Sequence, residues 1–272
     1  MLNLNRKFVV FLAKILSKKH LRLVEENLKI AFPKFSKEQH SKLLNDTYSH
    51  FSMIFLEIIT LYIKKKPERI LKHIEVKNLQ VLKSALKKKR GVILFSAHFG
   101  NWELVPYILS RKLNTKIVSI ARKMDNPLME RVVKRFREKM GSTIIYKKNS
   151  IRTILKMLEE NQIIFMLIDQ HTIDREAVYV DFFKTSISVT PSVSQLHLRK
   201  GKPIIPLFLY YQKDKIILDL KNEVQFDNTQ QKEEDTRQLT QNCITMIEKH
   251  IKDYPEQWFW FHDRWKIKES TG

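Results

Sequence analysis

His98 and Glu103 stand five positions apart in "HFGNWE", directly after the apolar run "VILFSA". A histidine that titrates near neutrality can take a proton from an alcohol. A carboxylate holding its other ring nitrogen fixes the tautomer and stabilises the imidazolium. The alcohol then becomes the nucleophile. Spacing alone does not select this pair, because His20/Glu25 and His171/Glu176 repeat it. His20 and Glu25 fall in a continuous helical pattern, where five positions separate side chains by about 140°. His171 follows the strand-like "IIFMLID", but Glu176 precedes "AVYVDFF" with no helix start to fix it. His98 ends a buried strand and Glu103 opens a helix, which is where α/β sheets form their ligand crevices.

Ser96 is close enough to the motif to be a rival nucleophile. The amides of Gly100, Asn101 and Trp102, at a helix start, are suited to a developing negative charge. As a metal site the motif lacks a third ligand, so neither a metal nor another cofactor is expected.

The elements that must position these residues can be read from pattern. The first third is helical: Ser36 with Gln39 resembles a capping box, and Leu43, Leu44, Tyr48, Phe51, Phe55 and Ile58 form an apolar stripe. "LKKKRG" closes another helix before "VILFSA". From Gly91 onward strands and helices alternate. "VILFSA", "KIVSIA", "STIIY", "IIFMLID", "PIIPLFLYY" and "KIILDL" read as strands. Helices are expected over 102–111, from Asn126-Pro127, over 150–160, in "PSVSQLHLRKG" and over 233–252. Short apolar strands alternating with helices predict an α/β fold, a mixed central sheet covered by helices. An N-terminal helical membrane-associating region precedes it. The expected division is a basic amphipathic segment over 1–35 and a catalytic domain over 36–272.

Fifty Lys+Arg against 29 Asp+Glu give a formal charge of +21, which attracts polyanions. No zinc-finger spacing, ribonucleoprotein signature or basic-leucine heptad accompanies it, so nucleic acid is not expected. One cysteine, Cys243, excludes an internal disulfide and reads as a small buried residue. No stretch reaches the roughly 20 apolar residues that cross a bilayer. The start, "RKFVVFLAKIL", lacks a small-x-small cleavage pattern. Its cations Arg6, Lys7 and Lys14 flank Phe8, Phe11, Leu12 and Ile15, as in an interfacial helix on anionic lipid; an ordinary packed helix is the other reading.

The "HFGNWE" motif resembles the active-site motif of the lipid A late acyltransferases, the lauroyl/myristoyl transferases within the H-x-x-x-x-D/E glycerolipid acyltransferases. "NLKIAFP", "ARKMDNPLME", "RFREKMG", "IDQ", "GKPIIPLF" and "PEQWFWFHDRWK" resemble further blocks of that family, in order along nearly the whole chain. The resemblance implies transfer of a fatty acyl chain from acyl carrier protein to a hydroxyl of a lipid A precursor; the same transfer to another lipid acceptor, a glycerophospholipid or glycolipid, and a noncatalytic basic membrane- or nucleic-acid-binding protein are the alternative readings. The reaction would take place at the cytoplasmic face of the inner membrane, against its anionic surface. His98 would be the general base and Glu103 its partner. Acyl carrier protein is acidic and lipid A precursors carry phosphates, so +21 suits both. Arg122, Lys123, Arg135 and Arg137 surround an N-capped helix and are suited to phosphate or to the thioester oxygen. Arg122 follows "KIVSIA" and is expected at the same rim as His98. Asp169 and Gln170 end the next strand and line that rim. Asn101, Arg122, Arg135, Arg137, Asp169 and Gln170 are thus the candidate substrate-binding residues. Trp258, Trp260 and Trp265 are expected to pack in the core or at an interface.

Deleting residues 1–16, or neutralising Arg6, Lys7 and Lys14, is expected to weaken sedimentation with anionic vesicles by about 1 kcal/mol per cation. Unchanged sedimentation would remove this segment from membrane anchoring.

Overall fold

The computed structural model describes residues 18–64, 71–147, 150–172 and 177–265. Arg6, Lys7, Lys14 and the apolar residues between them lie outside the described residues, as does Glu176.

Two helices open the described chain, α1 (Lys18–Ala31) and α2 (Lys37–Lys64). The start of α2 is fixed by a reciprocal cap. The Ser36 amide donates to Gln39 Oε1 at 2.7 Å, and the Gln39 amide donates to Ser36 Oγ at 3.2 Å. Within the segment assigned to the membrane, α1 buries Val24 and Leu28 in the main core. Asn27 Nδ2 donates to the carbonyls of Trp260 and His262, both at 2.8 Å, and ties α1 to the far end of the chain.

Next come β1 (Ile74–Lys77), α3 (Leu79–Lys87), β2 (Val92–Ser96), α4 (Leu104–Leu113), β3 (Ile117–Ala121), α5 (Pro127–Lys139) and β4 (Ser142–Tyr146). They are followed by α6 (Ile151–Glu159), β5 (Ile163–Leu167), β6 (Val178–Phe182), β7 (Thr185–Val189), α7 (Ser192–Lys200), β8 (Ile204–Gln212), β9 (Lys215–Leu220) and α8 (Lys232–Asp253). Seven strands form one sheet in the order β1-β9-β8-β2-β5-β3-β4, parallel throughout except for the β8/β9 hairpin. The expected mixed α/β sheet is therefore present, with β6 and β7 set apart as a two-stranded antiparallel ribbon. The short strands β1 and β7 are additions that pattern did not reveal.

Alternation along β2 explains why the run is wholly apolar. Val92 and Leu94 enter one core with Leu104, Val105 and Ile108 of α4, while Ile93 and Phe95 enter the other with α1, α6 and α8. Cys243 is buried in α8, and burial pushes its thiol up to about 12. Trp258, Trp260 and Trp265 are all buried, as expected for packing residues.

The carboxyl end of β2 is held by a strap from the C-terminal segment. After a 3₁₀ turn (Pro255–Gln257), Trp258 bridges Phe99 in antiparallel fashion. The Gly100 amide donates to the Gln257 carbonyl at 2.8 Å, and the Phe259 amide donates to the His98 carbonyl at 2.9 Å. Gly100 turns with φ of +52°, and a Cβ there would collide with the Leu209 carbonyl oxygen. No other residue fits that turn without movement of β8.

Gly100→Ala is expected to destabilise the fold by about 1–3 kcal/mol, through left-handed strain together with the backbone collision. Urea unfolding against the parent chain measures it, and an unchanged midpoint would show that the strap yields.

Candidate active site

Strands β2, β5, β3 and β4 run parallel, so their carboxyl ends open on one edge of the sheet. Ser96 of β2 is in register with Leu167 of β5. His98 and Asp169 each follow that paired position by two residues and emerge side by side.

The contact between them is direct. His98 Nδ1 lies 2.7 Å from Asp169 Oδ1, and the His98 amide donates to Asp169 Oδ2 at 2.9 Å. Trp258 Nε1 donates to the same Oδ2 at 2.8 Å. Asp169 is 3% exposed. Burial pushes its pKa up, but the charge of His98, the two His98 hydrogen bonds and the indole outweigh that effect and hold it at about 2. A carboxylate so held requires the proton of a neutral imidazole to sit on Nδ1. That leaves the Nε2 lone pair for a substrate hydroxyl. Gln170 Nε2 lies 3.2 Å from His98 Nε2, at the exposed rim.

The carboxylate on His98 is thus Asp169, where sequence spacing pointed to Glu103. Glu103 occupies the cap position before α4 and is gripped from the other side by α5. Arg137 Nε and Nη2 donate to its two oxygens at 2.9 and 2.6 Å, and Trp102 Nε1 donates at 3.2 Å. Burial opposes the Arg137 charge, yet the Glu103 hydrogen bonds and charge raise its pKa further.

The remaining candidates scatter. Asn101 is buried and donates to Glu57 Oε2 of α2 at 2.7 Å, the oxygen that also accepts from the Tyr211 hydroxyl at 2.5 Å. Burial and the charge of Glu57 raise the Tyr211 phenol and keep it protonated. Arg122 is exposed on the loop after β3, where it meets Asp125 at 3.3 Å. Arg135 is exposed on α5. The Gly100 amide, a candidate for stabilising negative charge, is occupied by the Gln257 carbonyl.

Three contributors were missed by sequence reasoning. Trp258 was expected in the core, and it is there, but its indole also completes the Asp169 shell. Glu57 lay unremarked on α2, beside its apolar stripe. Arg264, 1% exposed, adds a cation to the field of Asp169; burial lowers its pKa to about 10 while that carboxylate opposes the shift. The equal offset of His98 and Asp169 beyond neighbouring parallel strands was a signal that would have found the dyad.

One side of His98 is aromatic. Trp102 stands edge-on to His98 at 4.9 Å, Phe259 is 5.7 Å from Trp102, and Phe51 of α2 is 5.4 Å from Phe259. No helix among the described residues is long and apolar enough to cross a membrane.

Comparison with known proteins identifies the family. A lipid A biosynthesis palmitoleoyltransferase of Escherichia coli is 24% identical over 254 residues, covering 92% of this chain and 80% of the relative. A lipid A biosynthesis lauroyltransferase of the same organism is 21% identical, over 92% of this chain and 80% of its own length. A phosphatidylinositol mannoside acyltransferase of Mycolicibacterium smegmatis is 21% identical over 72% of this chain and 64% of the relative. The family described as bacterial lipid A biosynthesis acyltransferase matches residues 3–267, and the chain belongs to that family.

Proposed function

We propose that the chain transfers a fatty acyl group from an acyl carrier protein thioester to a hydroxyl of a lipid A precursor, at the cytoplasmic face of the inner membrane. The observation that carries this reading is the His98–Asp169 contact, which leaves Nε2 at the open rim of the crevice. His98 takes the hydroxyl proton as the oxygen attacks the thioester carbon, and then returns it to the departing thiolate. Asp169 orients the ring and stabilises the imidazolium. Glu103 and Arg137 hold the rim in place. The aromatic group of Phe51, Trp102 and Phe259 suits an alkyl chain, and +21 suits an acidic donor protein, a phosphorylated acceptor and an anionic membrane.

The mannoside relative motivates a second acceptor, a mannosylated lipid, for the same chemistry. Incubating the purified chain with acyl carrier protein thioesters and either acceptor, with mass spectrometry of the lipids, separates the two. Product on neither acceptor would refute the reading.

His98→Ala is expected to lower turnover by about 10²- to 10⁴-fold with the fold intact. Asp169→Asn keeps the shape but removes the charge, and a loss of similar size is expected. The pH dependence has a definite sign. Because the folded pKa of Asp169, about 2, lies below the ordinary 3.8, its stabilising contribution is complete above 3.8 and is lost only as pH falls towards 2. Asp169 therefore stays ionised throughout the neutral range, and its own protonation does not limit the rate there. Full turnover in Asp169→Asn would show that this charge is not needed.

Glu103→Gln leaves Arg137 without its anion and is expected to cost about 1–3 kcal/mol in urea unfolding. Lost turnover with unchanged stability would instead couple Glu103 to the imidazole.

A further inference from the structure

We infer that Gln170 is a catalytic residue: its side-chain amide donates to the thioester carbonyl oxygen as that oxygen acquires negative charge. The inference rests on the reading of His98 as general base. It starts from a conflict at Nε2. With Nδ1–H directed to Asp169, the Nε2 lone pair must accept the substrate hydroxyl, yet in the free protein it faces the Gln170 amide at 3.2 Å. Gln170 must release that nitrogen before the reaction, and its donor is then free within about 3 Å of the reacting atoms.

Many of the other donors around His98 are already engaged, the Asn101 and Trp102 amides not among them. The His98 amide donates to Asp169, the Phe99 amide to the Ala97 carbonyl and the Gly100 amide to the Gln257 carbonyl. Trp258 Nε1 is held by Asp169, and Trp102 Nε1 by Glu103. Asn101 Nδ2 is held by Glu57, and Arg137 Nε and Nη2 by Glu103. Acyl transfer nevertheless requires a donor aimed at the developing oxyanion, usually its largest source of stabilisation. Gln170 is exposed at the rim, and its acceptor in the free protein is the one the substrate hydroxyl displaces.

The step balances without a further reactant. The hydroxyl proton passes to His98 Nε2 while its oxygen bonds to the thioester carbon, and the carbonyl π pair moves onto the oxygen held by Gln170. Collapse restores the carbonyl and breaks the C–S bond, and the thiolate takes the proton from Nε2. An ester and a thiol result.

Gln170→Ala and Gln170→Glu, made in the full chain, test this with kcat and KM for donor and acceptor, after circular dichroism has established folding. The expected result for Gln170→Ala is a fall in kcat of about 10²- to 10³-fold with both KM values little changed, since the contact exists only in the transition state. Gln170→Glu should fall at least as far, because a carboxylate opposes the oxyanion. Unchanged or increased kcat in Gln170→Ala would overturn the inference and reduce Gln170 to a cap on the base. A loss confined to KM would overturn it too, marking ground-state binding. His98→Ala run alongside separates the two levels: if it retains wild-type turnover, the general-base reading fails, whereas an inactive His98→Ala with a fully active Gln170→Ala removes only the role given to Gln170.

Discussion

A buried negative charge organises this site. Asp169 is almost wholly withdrawn from water, and an ionised carboxylate in such surroundings costs several kcal/mol unless donors surround it. Its donors come from two places far apart in sequence: the backbone and ring of His98, and the indole of Trp258. Because both oxygens are directed, the end of β2, the end of β5 and the C-terminal strap have one mutual register. A shift of the strap by a single residue would turn the Trp258 side chain to the other side of the strap and leave Asp169 Oδ2 short of a partner. The strap's backbone hydrogen bonds to His98 and Gly100 answer the same requirement from the other side.

Helix α5 is bound by different means. Its Asn126 cap accepts from the amides of Leu128 and Met129, and Pro127 suits the first turn, so the helix forms readily. None of its described residues is fully buried. The two-pronged grip of Arg137 on Glu103 therefore carries an unusual share of its attachment beside the crevice. Charge thus positions the rim while apolar packing positions the floor. Arg135 is exposed on α5 and Arg122 meets only the exposed Asp125, whereas Arg137 is engaged by the part-buried Glu103.

Much of the fold was legible because its signals are local. The capping box at Ser36, the Asn126-Pro127 helix start and the apolar run of β2 each depend on neighbours within a few residues, and the expected elements appear there. The short strand β1 (Ile74–Lys77) escaped because four half-buried residues carry too little alternation to distinguish a strand from a loop. His98 was legible as the centre of the motif, but its carboxylate partner was not. Five positions along the chain, Glu103 has turned onto the start of α4 and faces Arg137, while Asp169, 71 residues away, arrives through strand pairing. Asn101 looked available for substrate because it is polar and belongs to the motif. Only the approach of α2 and β8 reveals that Glu57 and Tyr211 enclose it.

The strap also has a consequence for how the molecule is made. Translation produces His98 and Asp169 long before Trp258, so the nascent sheet carries a carboxylate whose third donor does not yet exist. Contacts of such long sequence separation close late and slowly. Until they close, Asp169 has the His98 donors alone, and the His98 carbonyl and Gly100 amide lack their strap partners. The strap's bonds to His98 and Gly100 thus form only when the last segment of the described chain has folded back across the end of β2.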